Sequence, residues 1–440
     1  MDNFVKIKQT LALDEALFLK IKENIFSGGN ANGDNFRPKK FWLFAESLGE
    51  FRLALYIISI INNILEKNND KNKPLFFISF KTNSAYALAK KILNPPADFN
   101  NIIYFFHPAG IFKKLPNLYV SAIKPDYFIA IEHPVSNKLI RELLNVNAKI
   151  CFLDINPLFF KKIKDLPVKH PKTIFITVSG EDKKNFLEKI IPSDSLKNNP
   201  FRIIVLPDPL KFNLDFGFGA GGKDAEVKRD SDKDLVISFV SIHKKESKFI
   251  FNMIKEIALD KDLNRNRNLK FIFVPRSIKI SSKLFKTASN LNLKPAYLKN
   301  INDKDIHGGF LKNDSFQSLI VDDYGILGGI YPLSDIVYVG KSLYESEQGG
   351  HNILEPASFG KAVITGSYAY NFRDIIACML KNNAIAVITE RDFKNTLYKL
   401  INDDIYRRNT GLNALNYYLE KRDKSKEALI NYLSANFIKP

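Results

Sequence analysis

Short, nearly continuous apolar runs rich in β-branched and aromatic residues recur along this chain, separated by stretches of helical sequence, and they fall into two sets. The first comprises residues 41–45, 75–80, 102–106, 127–131, 150–153, 174–178 and 203–206; the second comprises 235–240, 271–274, 319–321, 336–339, 362–365 and 385–388. A strand that is apolar throughout is covered on both faces, and connections long enough for helices allow parallel crossovers, so each set predicts a parallel sheet between helices. Two sets predict an α/β chain of two Rossmann-like domains. Between them, residues 207–234 hold Pro209, the glycines Gly217, Gly219, Gly221 and Gly222, and the run KDAEVKRDSDKD, a composition suited to a linker or flexible loop. The expected division is therefore 1–207, a linker at 208–234, and 235–440, with the C-terminal stretch helical around Leu397, Leu400, Ile401, Leu412, Leu415 and Tyr418.

A length of 440 residues exceeds what one hydrophobic core usually supports. The 45% hydrophobic and 25% charged residues mark a globular chain, and nothing approaches the ~18 uninterrupted apolar residues of a membrane span. The N-terminal sequence MDNFVKIKQTLALDEALFLK mixes acids and lysines without an apolar core or small-residue cleavage site, so a cytoplasmic location is expected. Cys151 and Cys378 each lie in apolar runs and are expected to be buried thiols. His107, His133, His170 and His307 are scattered without metal-ligand spacing, and no metal is expected. The net charge of +18 predicts a polyanionic partner, either nucleic acid or an anionic lipid surface. No aromatic RNA-binding signature is present, which argues against nucleic acid.

The densest chemistry lies in residues 349–374, GGHNILEPASFGKAVITGSYAYNFRD. Gly349, Gly350, His351, Asn352, Ile353, Leu354 and Glu355 fall between two apolar runs, at the carboxyl edge of the second predicted sheet, where α/β proteins bind nucleotides. Glu355 falls in a first helical turn, where free backbone N–H groups and a carboxylate suit phosphate and sugar hydroxyls respectively. A glycine turn capping a helix explains Gly350 and Glu355. It leaves His351, Asn352, Asn371 and Phe372 unexplained.

This segment resembles the nucleotide-sugar motif of the transferases of 3-deoxy-manno-octulosonic acid (Kdo), roughly GGHN-x-LEP, then G-x-P-V-x-x-G and N-F-x-(D/E). The match runs through Gly349, Gly350, His351, Asn352, Leu354, Glu355, Pro356, Gly360, Val363, Gly366, Asn371, Phe372 and Asp374. A second matching motif, small-x-S-x-G-E, follows the first predicted strand as Ala45, Ser47, Gly49 and Glu50. A carboxylate at such a strand end can accept the proton of an attacking sugar hydroxyl, and the resemblance implies that Glu50 is the general base. The competing reading is a helix-dipole partner, and Glu46 is a weaker competitor for the role. Weaker matches follow in family order: Lys81, Thr82, Asn83 and Ser84; Glu132 and Asn137; Lys211 and Phe212; Ser241 and His243; Pro275 and Arg276; and Tyr324, Gly325 and Ile326. The family's P-R-H has Ser277 in place of histidine, M-G-E has Ile326 in place of glutamate, and E-T-E-L-W-P-N keeps only Glu132 and Asn137.

The resemblance implies a GT-B architecture, two Rossmann-like domains whose parallel sheets face each other across a cleft. It implies inverting transfer of Kdo from CMP-Kdo to a lipid A precursor in lipopolysaccharide biosynthesis, at the cytoplasmic face of the inner membrane, with no cofactor. Pro275, Arg276, Tyr324, Gly325, Ile326, Gly350, His351, Asn352, Ile353, Leu354, Glu355 and Asn371 are expected to hold the nucleotide sugar. Ser47, Ser84, Glu132 and Lys211 are expected to meet the acceptor or its phosphates. Two alternatives stand beside this: a GT-B enzyme using a UDP-sugar, and a degenerate homologue that binds anionic lipid without turnover. The family's N-terminal hydrophobic anchor is not evident. Instead, residues 11–26 bring Leu13, Leu17, Ile21 and Ile25 to one helical face beside Lys20 and Lys22, a pattern for core packing or for peripheral docking on anionic lipid together with Lys161, Lys162 and Lys164.

Overall fold

The computed structural model describes residues 38–67, 73–93, 101–106, 116–132, 135–155, 172–177, 202–206, 210–213, 234–260, 267–301, 310–311, 313, 315–323, 325–347 and 349–438. The chain divides into two compact units, residues 1–215 with 422–440, and residues 216–421. The proposed N-terminal amphipathic helix, Lys161, Lys162, Lys164, Tyr324 and the four scattered histidines lie outside the described residues, as does the glycine-rich stretch between the units.

In the first unit, β1 (Lys40–Phe44), β2 (Leu75–Phe80), β3 (Ile102–Phe106), β4 (Tyr127–Ile131), β5 (Lys149–Ile155), β6 (Thr173–Thr177) and β7 (Arg202–Val205) form one sheet in the order β3-β2-β1-β4-β5-β6-β7. Every neighbouring pair is parallel. Helices α1 (Leu48–Lys67), α2 (Asn83–Leu93), α3 (Pro116–Ile123) and α4 (Asn137–Asn145) connect them. The strands are buried along their length, as their unbroken apolar sequence requires. Aromatic side chains fill much of the space: Trp42 meets Phe128 edge-on at 5.2 Å between ring centroids, and its indole N–H donates to Ser79 Oγ at 3.0 Å. The polar end of a buried tryptophan thus has its partner. Helix α4 begins where Ser136 Oγ accepts from the Leu139 backbone N–H at 3.2 Å, and it buries Leu139, Ile140 and Leu143 at helical spacing.

The second unit repeats the plan. Strands β8 (Asp234–Ile242), β9 (Asn268–Pro275), β10 (Pro295–Tyr297), β11 (Ser318–Ile320), β12 (Ile336–Val339), β13 (Ala362–Gly366) and β14 (Ala386–Ile388) lie in the order β10-β11-β9-β8-β12-β13-β14, all parallel. Its helices are α5 (Lys244–Leu259), α6 (Ser281–Asn290), α7 (Leu327–Ile330), α8 (Leu354–Ser358), α9 (Arg373–Lys381), α10 (Phe393–Asn402) and α11 (Asp404–Leu433). Lys270, inside β9, is only 2% exposed; its ammonium donates to the carbonyls of Phe310, Leu311 and Asn313 at 2.8, 2.8 and 3.1 Å. Three acceptors satisfy a cation that burial would otherwise penalise heavily.

The strand order reverses between β1 and β4 in the first sheet and between β8 and β12 in the second. Beside such a reversal the loops leaving the carboxyl ends of adjacent strands diverge to opposite faces, opening a crevice. The loops leaving β1, β4, β8 and β12 carry most of the residues singled out in the sequence.

Two expectations need correction. Residues 422–440 pack with the first unit, so α11 starts in the second unit and ends in the first, and 235–440 is not one block. Helical periodicity shows that a face is apolar but not which sheet it covers. Cys378 is exposed, whereas Cys151 is buried, its thiol pushed up to about 12 by burial and lying 3.9 Å from the Tyr432 hydroxyl. Helix α9 has only one buried stripe, and Cys378 lies off it. No helix among the described residues is long and apolar enough to cross a membrane.

Candidate active site

In the first unit, the turn from β1 into α1 is closed by Glu50. The Ser47 hydroxyl donates to Glu50 Oε1 at 2.8 Å, the Glu46 backbone N–H donates to Oε2 at 2.5 Å, and the Glu50 N–H lies 3.4 Å from Ser47 Oγ. Ser-x-x-Glu at a helix start is a capping box, so part of Glu50's job is local. Its side chain is 5% exposed. Glu46 pairs with Lys81 at 2.8 Å.

Lys211, in the short 3₁₀ turn Leu210–Asn213, reaches into the same region. Its ammonium lies 3.5 Å from Glu132 Oε1. Burial works to lower the lysine pKa, but the charges of Glu132, Asp154 and Glu50 outweigh it and the pKa is raised. Three carboxylates from the ends of β1, β4 and β5 thus converge on one cation. Glu132 and Asp154 both hold left-handed backbone, at φ 55 in each case. Ser84 is the second residue of α2, one strand over from the Glu50 turn. Ser47, Glu50, Glu132 and Lys211 are therefore brought together; Asp154 joins them without having been anticipated.

In the second unit the organiser is Glu246, which the sequence reading missed. Fully buried in the first turn of α5, its carboxylate accepts from the backbone N–H groups of His243, Lys341, Ser342 and Leu343 and from the Tyr338 hydroxyl, at 2.8 to 3.3 Å. One side chain thereby fixes the end of β8 against the loop leaving β12, the two strands of the reversal. Its signal was present: Glu246 stands three residues after His243 at a helix start, and the pair forms a capping box. Gly340 and Gly366 make the approach possible. A Cβ on Gly340 would lie 2.7 Å from the Ser241 carbonyl oxygen, and one on Gly366 would lie 2.1 Å from that of Ser342.

On this frame His243 and His351 stack with ring centroids 5.4 Å apart and Nε2 atoms at 3.1 Å. One ring must donate and the other accept. Burial, together with the positive charges of Arg276, His243 and Lys341, pushes His351 down to about 3, so its imidazole is neutral near pH 7. Arg276 follows β9, anchored by its N–H to the Ile242 carbonyl at 3.0 Å. Gly349 and Gly350 hold φ of +123 and +71, and a Cβ on Gly350 would lie 2.7 Å from that of Ala369. Asn352 Oδ1 accepts from the Leu354 N–H at 3.0 Å and starts α8, and the Tyr331 hydroxyl donates to Glu355 Oε2 at 3.1 Å. Since Tyr331 follows α7, this bond ties Glu355 to the loop of Gly325 and Ile326. Pro275, Ile353 and Leu354 are buried, so their side chains belong to the core. Asn371 lies beside Gly349 and closes its turn, donating from its backbone N–H to the Gly349 carbonyl at 3.0 Å.

Among the described residues, two parallel sheets of seven strands, each with polar groups gathered at a strand-order reversal, make the chain a GT-B-fold protein. The crystal structure of a glycosyltransferase from Rickettsia africae ESF-5 shares this fold with a TM-score of 0.55, covering 92% of this chain and 100% of that chain at 13% identity. No protein-family profile matches the chain. Among characterised sequences, it is 26% identical over 375 residues to a 3-deoxy-D-manno-octulosonic acid transferase of Rickettsia typhi, covering 82% of this chain and 71% of that one. It is equally 26% identical over 377 residues to a bifunctional glycosyltransferase/methyltransferase of Fusobacterium nucleatum, covering 83% of this chain but only about half, 53%, of that longer protein. Over most of its length the chain is thus similar to 3-deoxy-D-manno-octulosonic acid transferases.

Proposed function

We propose that the protein transfers Kdo from CMP-Kdo to a lipid A precursor by direct, inverting displacement. The observation that carries this reading is the basic group at the reversal of the second sheet. Arg276, His243 and His351 stand there beside the two glycines, in the family's motif and at the edge where α/β folds bind nucleotides.

In the proposed reaction an acceptor hydroxyl oxygen attacks the anomeric carbon of Kdo. The bond from that carbon to the phosphate oxygen breaks, CMP departs with the electron pair, and the hydroxyl proton passes to Glu50. Attack opposite the leaving group inverts the anomeric centre. An ionised carboxylate offers about four acceptor positions, and the Ser47 hydroxyl and Glu46 N–H take two of those on Glu50. The same bonds hold the group in one orientation, as a general base requires. In the second unit, Arg276 suits the phosphate as a charge-assisted donor, and Glu355, steadied by Tyr331, suits sugar hydroxyls. The acceptor lipid's phosphates suit Lys211 and the wider excess of positive charge.

Incubation of the purified protein with CMP-Kdo and lipid IVA, followed by mass spectrometry, tests the reading. A product heavier by one or more Kdo units with release of CMP is expected. No transfer, or preference for a UDP-sugar in competition, would overturn it. Glu50→Ala is expected to lower the transfer rate by ~10²–10⁴-fold while leaving CMP affinity nearly unchanged, because a base acts on the transition state more than on the bound nucleotide. A rate within a few-fold of wild type would remove Glu50 from the chemistry and leave it as a helix cap.

A further inference from the structure

Lys341 was not marked by any motif. It stands two residues past the end of β12, in left-handed backbone at φ 64, and Ser241, the penultimate residue of the adjoining β8, is likewise left-handed at φ 54. Its backbone is held on both sides: its N–H donates to Glu246 Oε2 at 2.8 Å, and its carbonyl accepts from the Gly350 N–H at 2.9 Å. With the main chain pinned this way, the side chain runs beside Gly349. The point where a Gly349 Cβ would stand is 3.8 Å from Lys341 Nζ and 3.1 Å from Asn371 Nδ2. Two donors therefore lie on the one side of Gly349 where a side chain would otherwise stand. Among the described residues, Lys341 Nζ, the Arg276 guanidinium and the Asn371 side-chain amide make no hydrogen bond or ion pair within the protein. Arg276 and Lys341 are both close enough to His351 to bear on its protonation. Glu246, the carboxylate that holds the Lys341 backbone, already accepts five hydrogen bonds.

We infer that Lys341 is a substrate-binding residue, its ammonium joining the Asn371 amide over Gly349 to hold an anionic group of the nucleotide sugar. This rests on the nucleotide-sugar reading of the site. Unpaired cations gathered on a fixed frame repel one another until an anion arrives, and its binding then relieves that repulsion and forms charge-assisted hydrogen bonds. Two cations with two neutral polar partners suit a substrate bearing two negative charges. A sugar acid joined through one phosphate supplies them as a phosphodiester and a carboxylate.

The test compares Lys341→Gly, which also suits the left-handed backbone, and Lys341→Met, which keeps the stem, with Arg276→Ala and wild type. CMP and cytidine affinities are measured by calorimetry and the KM for CMP-Kdo in the transfer assay. Loss of CMP affinity by about tenfold or more in both Lys341 variants, with cytidine affinity unchanged, identifies the phosphate as the group held. Unchanged CMP affinity with KM for CMP-Kdo raised about tenfold or more identifies the carboxylate. If both quantities stay within about twofold of wild type in Lys341→Gly while Arg276→Ala loses CMP, the inference on Lys341 falls and the nucleotide site stands. If wild type itself binds no CMP, the underlying functional reading falls.

Discussion

At the scale of single residues, the second unit's site depends on charges whose states are set by their surroundings. His351 is the clearest case. Its folded pKa is lowered from 6.5 to about 3, first by burial, then by Arg276, His243 and Lys341. Between those two values the unfolded chain binds a proton that the folded chain does not, so stability must fall as pH falls through this window, and the contribution is absent above it. Replacing His351 with Asn removes the titration. The expected outcome is that urea midpoints of wild type and His351→Asn differ by a constant amount above pH 7 and converge as pH is lowered from 6.5 toward 4, because only wild type acquires this penalty. A constant difference over the whole range would show that His351 is not held neutral. Such a group is invisible in sequence, since histidine is drawn the same whether cations face it or none. The family motif located His351, but only the packing shows its state.

At the scale of elements, thirteen of the fourteen strands coincide with apolar runs of the sequence, because a strand buried on both faces has no polar side. The exception, β10, has only the residues Pro295, Ala296 and Tyr297 at the sheet edge, too short and too weakly apolar to stand out. The candidate site was legible wherever it coincided with a loop motif, as at Glu50 and from Gly349 to Glu355. Glu246, Asp154 and Lys341 were not, since each acts by reaching from one strand end to another, and that adjacency exists only once the strands are ordered. The joint between β12 and β13 gives a test. A Cβ on Gly366 would press on the Ser342 carbonyl at 2.1 Å, and backbone there cannot swing aside as a side chain tip would. Ser342 Oγ also accepts from the Gly366 N–H at 2.8 Å, and the Ser342 N–H is one of Glu246's donors. Gly366→Ala is therefore expected to lower stability by about 1–3 kcal/mol, as overpacking commonly does, and to weaken CMP binding by displacing the loop of Lys341. A stable variant with wild-type CMP affinity would show that this joint does not position the site.

At the scale of the whole molecule, the net charge of +18 bears on how the protein would meet the lipid acceptor proposed above. We propose that the protein docks on an anionic bilayer from one side, through charge and shallow apolar contact. Each lysine or arginine near an anionic surface contributes about 1 kcal/mol, and the attraction fades within a Debye length, ~8 Å at physiological ionic strength and ~3 Å at 1 M. Binding carried by such contacts must weaken steeply with salt, whereas binding by buried apolar surface is little affected by it. Residues 11–26, with Leu13, Leu17, Ile21 and Ile25 at four-residue spacing and Lys20 and Lys22 beside them, have the sequence of a segment that combines both contacts. Co-sedimentation with vesicles of phosphatidylethanolamine and phosphatidylglycerol is expected to be strong at low salt, to fall as salt is raised, and to fall further when residues 1–26 are removed. Vesicles of phosphatidylcholine alone are expected to retain little. Equal pelleting with both vesicle types, or retention of binding at 1 M salt, would mean that charge is not what brings the protein to its acceptor.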